Sequence, residues 1–316
     1  MLKVVPDELK NPEIQTSMIN VDSGLTFEVD HCGDGDELAL CLHGFPEHSF
    51  SWRYQLPMLA KRGFTAWAPN LRGYGNTSRP RAIKDYALNE LVEDVAQLIV
   101  ASKKKKVTLI CHDWGGFIAW EFAIVDRLSL ERLIIFNCPH PRSFIEAFGW
   151  SQLRKSWYMF FFQIPWLPEF LSRLKNASAI GTIFEKTNKN NAAFPPEIID
   201  IYRRNASQPL ALRAMINYYR AARYGAWARE RRWRNNPHER INTKTLVIWG
   251  EEDNFLEKSL ATNTGQYVAD LQLRFLPGAS HWVQQERPDE VNQLILEFLS
   301  GYEPPLEAGT KGMTLS

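Results

Sequence analysis

Four short stretches of this 316-residue chain hold residue types that together can run hydrolysis through a covalent intermediate. The first, Cys111-His112-Asp113-Trp114-Gly115-Gly116, follows an apolar run (VTLI) and opens a helical one (FIAWEFA). A strand that passes straight into a helix through small-x-nucleophile-x-Gly holds the middle residue out on a tight turn. Asp113 is that residue. Gly115 supplies the required smallness, Gly116 lets the helix pack close, and Cys111 stands where glycine is more usual. The second stretch, His43-Gly44-Phe45-Pro46-Glu47, leaves another apolar run and can aim the backbone N–H of Phe45 at the same point. The N–H of Trp114, just after the nucleophile, is the second donor of an oxyanion hole. The third, Gly250-Glu251-Glu252-Asp253, closes the run KTLVIW and sets Asp253 at a strand end; the fourth, Ser280-His281-Trp282, follows LQLRFLPGA.

A carboxylate at the nucleophile position decides the chemistry. A serine there would take acyl groups from external esters. An aspartate attacks an sp3 carbon and makes an ester of itself, which water activated by His281, oriented by Asp253, then hydrolyses. Each oxyanion-hole donor is worth about 3–4 kcal/mol in comparable sites. Taken singly, every stretch has an ordinary structural alternative: Asp113 as a helix N-cap, the HGFP turn as a strand exit, Asp253 as a helix cap, His281 as a structural histidine. The specificity lies in the four together, in this order, on these elements.

The elements that must position them alternate in type. Apolar runs at 25–30, 37–43, 65–69, 107–112, 132–138, 244–249 and 271–276 predict strands, and 52–61, 88–103, 116–127, 256–265 and 288–300 predict helices. In 88–103, for example, Leu88, Leu91, Val95, Leu98 and Ile99 recur at three- and four-residue steps. Apolar strands between helices imply a parallel sheet covered on both faces. The alternation stops near Cys138 and resumes after 238. The stretch between is rich in Trp, Tyr, Phe and Arg and has no clear strand, which predicts a helical insertion. It follows a strand end, where such sheets bind ligands.

With HGFPE, CHDWGG, GEED and SHW, and with RGYG at 72–75, residues 20 to 300 resemble the epoxide hydrolases of the α/β-hydrolase fold. The order nucleophile, acid, histidine is the one that fold uses. The resemblance implies a mostly parallel central sheet flanked by helices, with a helical cap inserted after strand 6. Residues 1–138 and 239–316 would form the discontinuous core and 139–238 the cap. It also implies two cap tyrosines that bind and protonate the epoxide oxygen. Tyr158, ahead of an FFQIP segment, and Tyr219, in NYYRAAR, match that pattern, with Tyr218 the alternative to Tyr219. The implied reaction opens an epoxide on Asp113 and releases a vicinal diol, with water as co-substrate and no metal or organic cofactor. Phe45, Trp114 and Trp282 are the expected substrate-contact residues, and the aromatic residues of the insertion are expected to wall an apolar cleft. Asn70, where the family often has Asp, is expected to be structural.

Several readings compete. A haloalkane dehalogenase shares the aspartate nucleophile and a following Trp, but usually carries a halide-binding Asn where this chain has Phe45. A fluoroacetate dehalogenase would want Arg at the position of Trp114. A non-catalytic binder of small apolar ligands has no use for the lid tyrosines. The segment 219–240 interleaves Arg with aromatics, as strand-binding proteins do, but Glu230 and Glu239 interrupt it. The chain's 37 basic and 36 acidic residues leave a net charge of only +1, which argues against a nucleic-acid partner.

Composition is otherwise that of a soluble protein, with 45% hydrophobic, 23% charged and an unusual 12% aromatic residues. The four cysteines, Cys32, Cys41, Cys111 and Cys138, have no C-x-x-C spacing and predict free thiols in a reducing compartment. No apolar run reaches the ~18 residues of a membrane span, and the N-terminal MLKVVPDELKNPEIQ has no signal-peptide character. A cytoplasmic monomer or homodimer is expected, with a fraying low-complexity tail at 303–316.

Overall fold

Eight strands form one sheet in the computed structural model, which describes residues 4–236 and 238–301. They are β1 (Gln15–Asn20), β2 (Thr26–Cys32), β3 (Glu37–Leu42), β4 (Phe64–Pro69), β5 (Lys106–His112), β6 (Arg132–Phe136), β7 (Lys244–Gly250) and β8 (Leu271–Leu276). The order across the sheet is β1-β2-β4-β3-β5-β6-β7-β8. The pairs β1/β2 and β2/β4 are antiparallel, and every pairing from β4 through β8 is parallel. Strands β3 and β5 are buried along almost their whole length, which is why they read as unbroken apolar runs. Helix Leu88–Ser102 covers the sheet with Leu88, Leu91, Val95, Leu98 and Ile99, the stripe predicted from its periodicity, joined by Val92.

The main departure from expectation is β1. Its residues, QTSMIN, are exposed or half-buried throughout, so no apolar alternation marks them. Backbone pairing with β2 alone makes this edge a strand. The helix expected over 256–265 is also shorter. It contracts to Ser259–Thr262 followed by a 3-10 turn, Asn263–Gln266. The helix expected to begin at 52 begins at Gln55, after a 3-10 turn at Ser49–Trp52.

Between β6 and β7 the described residues are helical, with Leu167–Thr187, Pro196–Ser207 and Ala211–Ala221 the longest helices. This helical layer rests on the loops that leave the sheet. Gly75 N–H donates to the Asn205 side chain, whose amide donates to the Glu47 carbonyl. The Tyr218 hydroxyl donates to the Arg72 carbonyl at 2.8 Å. Gly73 packs so close to the helix Ala211–Ala221 that a Cβ there would stand 2.5 Å from that of Ala214. The RGYG loop is thus a docking point for the helices above it. Asn70 is structural, as expected: it donates to Glu28 and accepts from Ser49 N–H, fully buried. All four cysteines are free and buried. No helix among the described residues is long and apolar enough to cross a membrane. The tail at 303–316 lies outside the described residues.

Candidate active site

Asp113 sits between β5 and the helix Trp114–Ile124 with φ 50° and ψ −117°, a conformation that a non-glycine residue holds only when its surroundings enforce it. The enforcement is visible on both sides. A Cβ on Gly115 would lie 2.3 Å from the Leu42 carbonyl oxygen, and one on Gly44 would lie 2.4 Å from the Cβ of Asp113. The strand end and the HGFP turn therefore press against the elbow at contact distance. Phe45 N–H donates to Asp113 Oδ1 at 2.8 Å. The N–H of Trp114 stands in the first turn of its helix, where no intrahelical acceptor can reach it.

His281 closes the group from the loop after β8. Its Nε2 is 3.6 Å from Asp113 Oδ2, and its Nδ1 donates to Asp253 Oδ2 at 2.7 Å. Asp253 is sealed from solvent behind it. Asn137 donates to Asp253 Oδ2 at 2.7 Å, and the N–H groups of Phe255 and Leu256 donate to Oδ1 at 2.7 and 2.9 Å. Burial works against both carboxylate charges, yet His281 and these donors hold both carboxyls below the usual range. Burial would likewise keep His281 neutral, but the charge of Asp253, with Asp113 adding to it, raises its pKa to about 10.

Tyr158 and Tyr219 reach the same place from the helical layer. Their rings meet edge to face with centroids 5.8 Å apart. Burial first, then neighbouring groups including Asp113, push both phenols above their ordinary pKa, so both stay protonated. Tyr218 points elsewhere, held by the Arg72 carbonyl. A cavity of about 540 Å³ is lined by Asp113, His281, Tyr158, Tyr219, Phe45 and Trp282 among others. A second, of about 250 Å³, also reaches Asp113, Tyr158 and Tyr219, and has Trp114 in its wall. The acid and the two tyrosines stand where the two chambers meet. Trp282 stacks edge-on against His281 and donates its indole N–H to Thr187 at 2.9 Å. The insertion contributes Trp157, Phe161 and Phe162 to the larger wall, but Trp150 and Trp227 are more than four-fifths exposed. The aromatic insertion is thus only partly the lining expected of it.

Three positioning residues went unassigned from sequence. Glu47, fully buried, accepts from Gly44 N–H at 2.7 Å and from the side chains of Gln284 and Gln285. His112 lies between the Glu47 carboxylate (2.6 Å) and the His281 carbonyl (2.9 Å), tying the HGFP turn to the histidine loop. Asn137 fixes Asp253. Glu47 and His112 sat inside the motifs already singled out, and Asn137 directly follows the predicted strand's apolar core. His43 is a further brace: burial lowers its pKa to about 4, its Nε2 accepts from Leu71 N–H, and its Nδ1–H donates to the Gly44 carbonyl. Among the described residues no group of His, Cys, Asp and Glu is arranged to hold a metal ion.

Residues 39–294 match the model of the alpha/beta hydrolase family. The chain is 37% identical over 278 residues to Epoxide hydrolase 2 of Caenorhabditis elegans, covering 86% of this chain and 76% of that one. It is 39% identical over 286 residues to Epoxide hydrolase 4 of Homo sapiens, covering 88% and 76%. The crystal structure of a Bacillus megaterium epoxide hydrolase in complex with an inhibitor superposes with a TM-score of 0.79 at 30% identity, covering 90% of this chain and all of that one. The chain belongs to the alpha/beta hydrolase family and, within it, to the epoxide hydrolases.

Proposed function

We propose that this protein hydrolyses an epoxide to a vicinal diol, in a site between the sheet and a cap formed by residues 139–238. The observation that carries the reading is one of position. A carboxylate with one oxygen held by a backbone N–H faces two protonated tyrosines across the junction of two apolar chambers. Asp113 attacks a ring carbon and forms an ester as the C–O bond breaks. Tyr158 and Tyr219 hydrogen-bond the departing oxygen and supply its proton. Both chambers are mainly apolar, so an epoxide with a hydrophobic group on each side fits them.

The electrostatics supply a sequence of events. While Asp113 is ionised, its charge helps to hold the proton on His281. Ester formation removes that charge, the His281 pKa falls, and its proton passes to the tyrosinate left by the protonated epoxide oxygen, which restores the phenol and leaves His281 neutral. The imidazole then takes a proton from water, with Asp253 stabilising the imidazolium that results. Hydroxide adds to the Asp113 carbonyl carbon, Phe45 and Trp114 N–H groups hold the oxyanion, and the diol leaves as the carboxylate returns. Glu47, His112 and Asn137 act through the residues they position. The proposed setting is the cytoplasm, where four free thiols stay reduced.

Two measurements test this. A styrene-type epoxide should yield diol while a bromoalkane yields little halide; the reverse preference favours a dehalogenase. Under single-turnover conditions the peptide carrying Asp113 should transiently gain the mass of the substrate. Diol formation without that adduct would sink the covalent route.

A further inference from the structure

A larger cavity, of about 670 Å³, lies outside the site described above, between the helix Ala211–Ala221 and the segment running from Gln163 to Arg173. One helix separates the two spaces. Leu212, Ile216 and Tyr219, at helical spacing, line the candidate active site, with Leu212 touching both spaces; Arg213, Asn217 and Arg220, one position further round, line this second cavity. Its wall is cationic, with Arg173, Arg213, Arg220 and Arg223 against a single carboxylate, Glu169. Arg220 is already neutralised by Glu169 and also donates to the carbonyls of Phe162 and Ile164. Neither Arg173 nor Arg213 nor Arg223 forms an ion pair among the described residues, so the wall keeps a surplus of positive charge.

Asn217, on the same wall, is 1% exposed, yet among the described residues neither its Oδ1 nor its Nδ2 has a hydrogen-bond partner. The Nε2 of Gln208, 9% exposed and on the same wall, also lacks one. Buried amides left unsatisfied in this way are uncommon and destabilising, because they lose water without replacing it. An amide oxygen needs a donor and the amide nitrogens need acceptors, while the arginines need negative charge. Apolar side chains, Trp166, Pro165, Leu210 and Ile83, complete the enclosure.

We propose that this cavity is a second ligand site, for an organic anion that carries a hydroxyl group and an apolar body, such as a hydroxylated carboxylate. The anionic group meets Arg213 and its neighbours, the hydroxyl donates to Asn217 Oδ1, and the apolar part lies against Trp166 and Leu210. The site is independent of the proposed reaction, because none of these polar groups lines the chamber that holds Asp113 and His281.

Titration calorimetry of the full chain with 3-phenyllactate tests it, with 3-phenylpropionate and inorganic phosphate as the probes lacking hydroxyl or apolar body. Phenyllactate is expected to bind more tightly than either. The exposed pair Arg213→Ala/Arg223→Ala should weaken it ~10-fold or more, by loss of charge-assisted bonds. Asn217→Leu should erase the advantage of phenyllactate over phenylpropionate while its melting temperature stays at or above that of the wild type. Saturating an Asp113→Ala variant with a styrene-type epoxide should leave the affinity unchanged. Competition by the epoxide, equal affinity in the arginine double variant, or no heat at roughly millimolar probe would each overturn the proposal.

Discussion

The sheet-borne and helix-borne halves of the candidate site are held in place by different forces. Asp253 has a partner for each oxygen, His281 is gripped at Nδ1 and through its own carbonyl, and Asp113 is fixed by Phe45 N–H and a strained backbone. Opposite them, Tyr219 rests on rings: Trp114 at 5.1 Å, Phe45 at 5.3 Å and Phe162 at 5.0 Å. Tyr158 lies edge-on to Tyr219 and Phe255. Directional bonds define a position to a few tenths of an ångström, whereas edge-to-face packing tolerates a slide. The contrast suits the proposed division of labour. On that proposal, the half that would make and break the ester keeps one geometry, and the half that would meet the substrate can adjust.

Substitutions can break or sharpen this contrast. Asp113→Ala should have the largest effect, a fall in kcat of ~10⁴-fold or more in a steady-state diol assay, because the nucleophile itself is gone. His281→Gln should stop turnover yet let the ester form, so mass spectrometry should find the adduct accumulating on the Asp113 peptide. Tyr158→Phe and Tyr219→Phe should each slow ring opening ~10–100-fold, and the double variant should be nearly inactive. Wild-type rates in that double variant would remove the helical half from the chemistry. Asn137→Ala should reduce kcat less, roughly 10-fold, and cost about 1–3 kcal/mol of stability by leaving a buried carboxylate oxygen short of a donor. If it proved harsher than the tyrosine changes, the sheet half would be the more fragile one. The subtlest effect is on titration. In Asp113→Asn, the His281 pKa should fall below about 10, since one of the two charges that raise it is lost, and imidazole NMR signals would report the shift.

Why the sheet half was the easier to read follows from where information sits in the chain. Asp113 and Asp253 follow strands buried along almost their whole length, and His281 follows the half-buried but apolar β8, so local composition located them. β1 escaped because an exposed edge strand needs no apolar side chains. Glu47 and Asn137 escaped as positioning residues because their work is done across 65 and 116 residues of chain, to His112 and Asp253. Aromatic content misled in a different way. The insertion lines the larger cavity with Trp157, Phe161 and Phe162, but its Trp150 and Trp227 are 82 and 85% exposed, while Trp52, Trp120, Trp249 and Trp282 of the sheet region are buried. Composition counts rings; the direction each one faces is decided by neighbours that only the fold supplies. The resemblance alone separates Tyr219 from Tyr218 in the sequence; in the fold Tyr219 lines the candidate site while the Tyr218 hydroxyl donates to the Arg72 carbonyl.

The hydrogen bond from Phe45 also makes the two oxygens of Asp113 unlike each other. Oδ1 is the one already held where an oxyanion would form, and Oδ2, on the side of His281, is free to attack. In the proposed cycle the attacking oxygen leaves in the product, and the water consumed rebuilds the side chain. The enzyme therefore renews part of its own carboxylate at each turnover. In water enriched with heavy oxygen, the diol of the first turnover should carry ordinary oxygen while the label appears in Asp113.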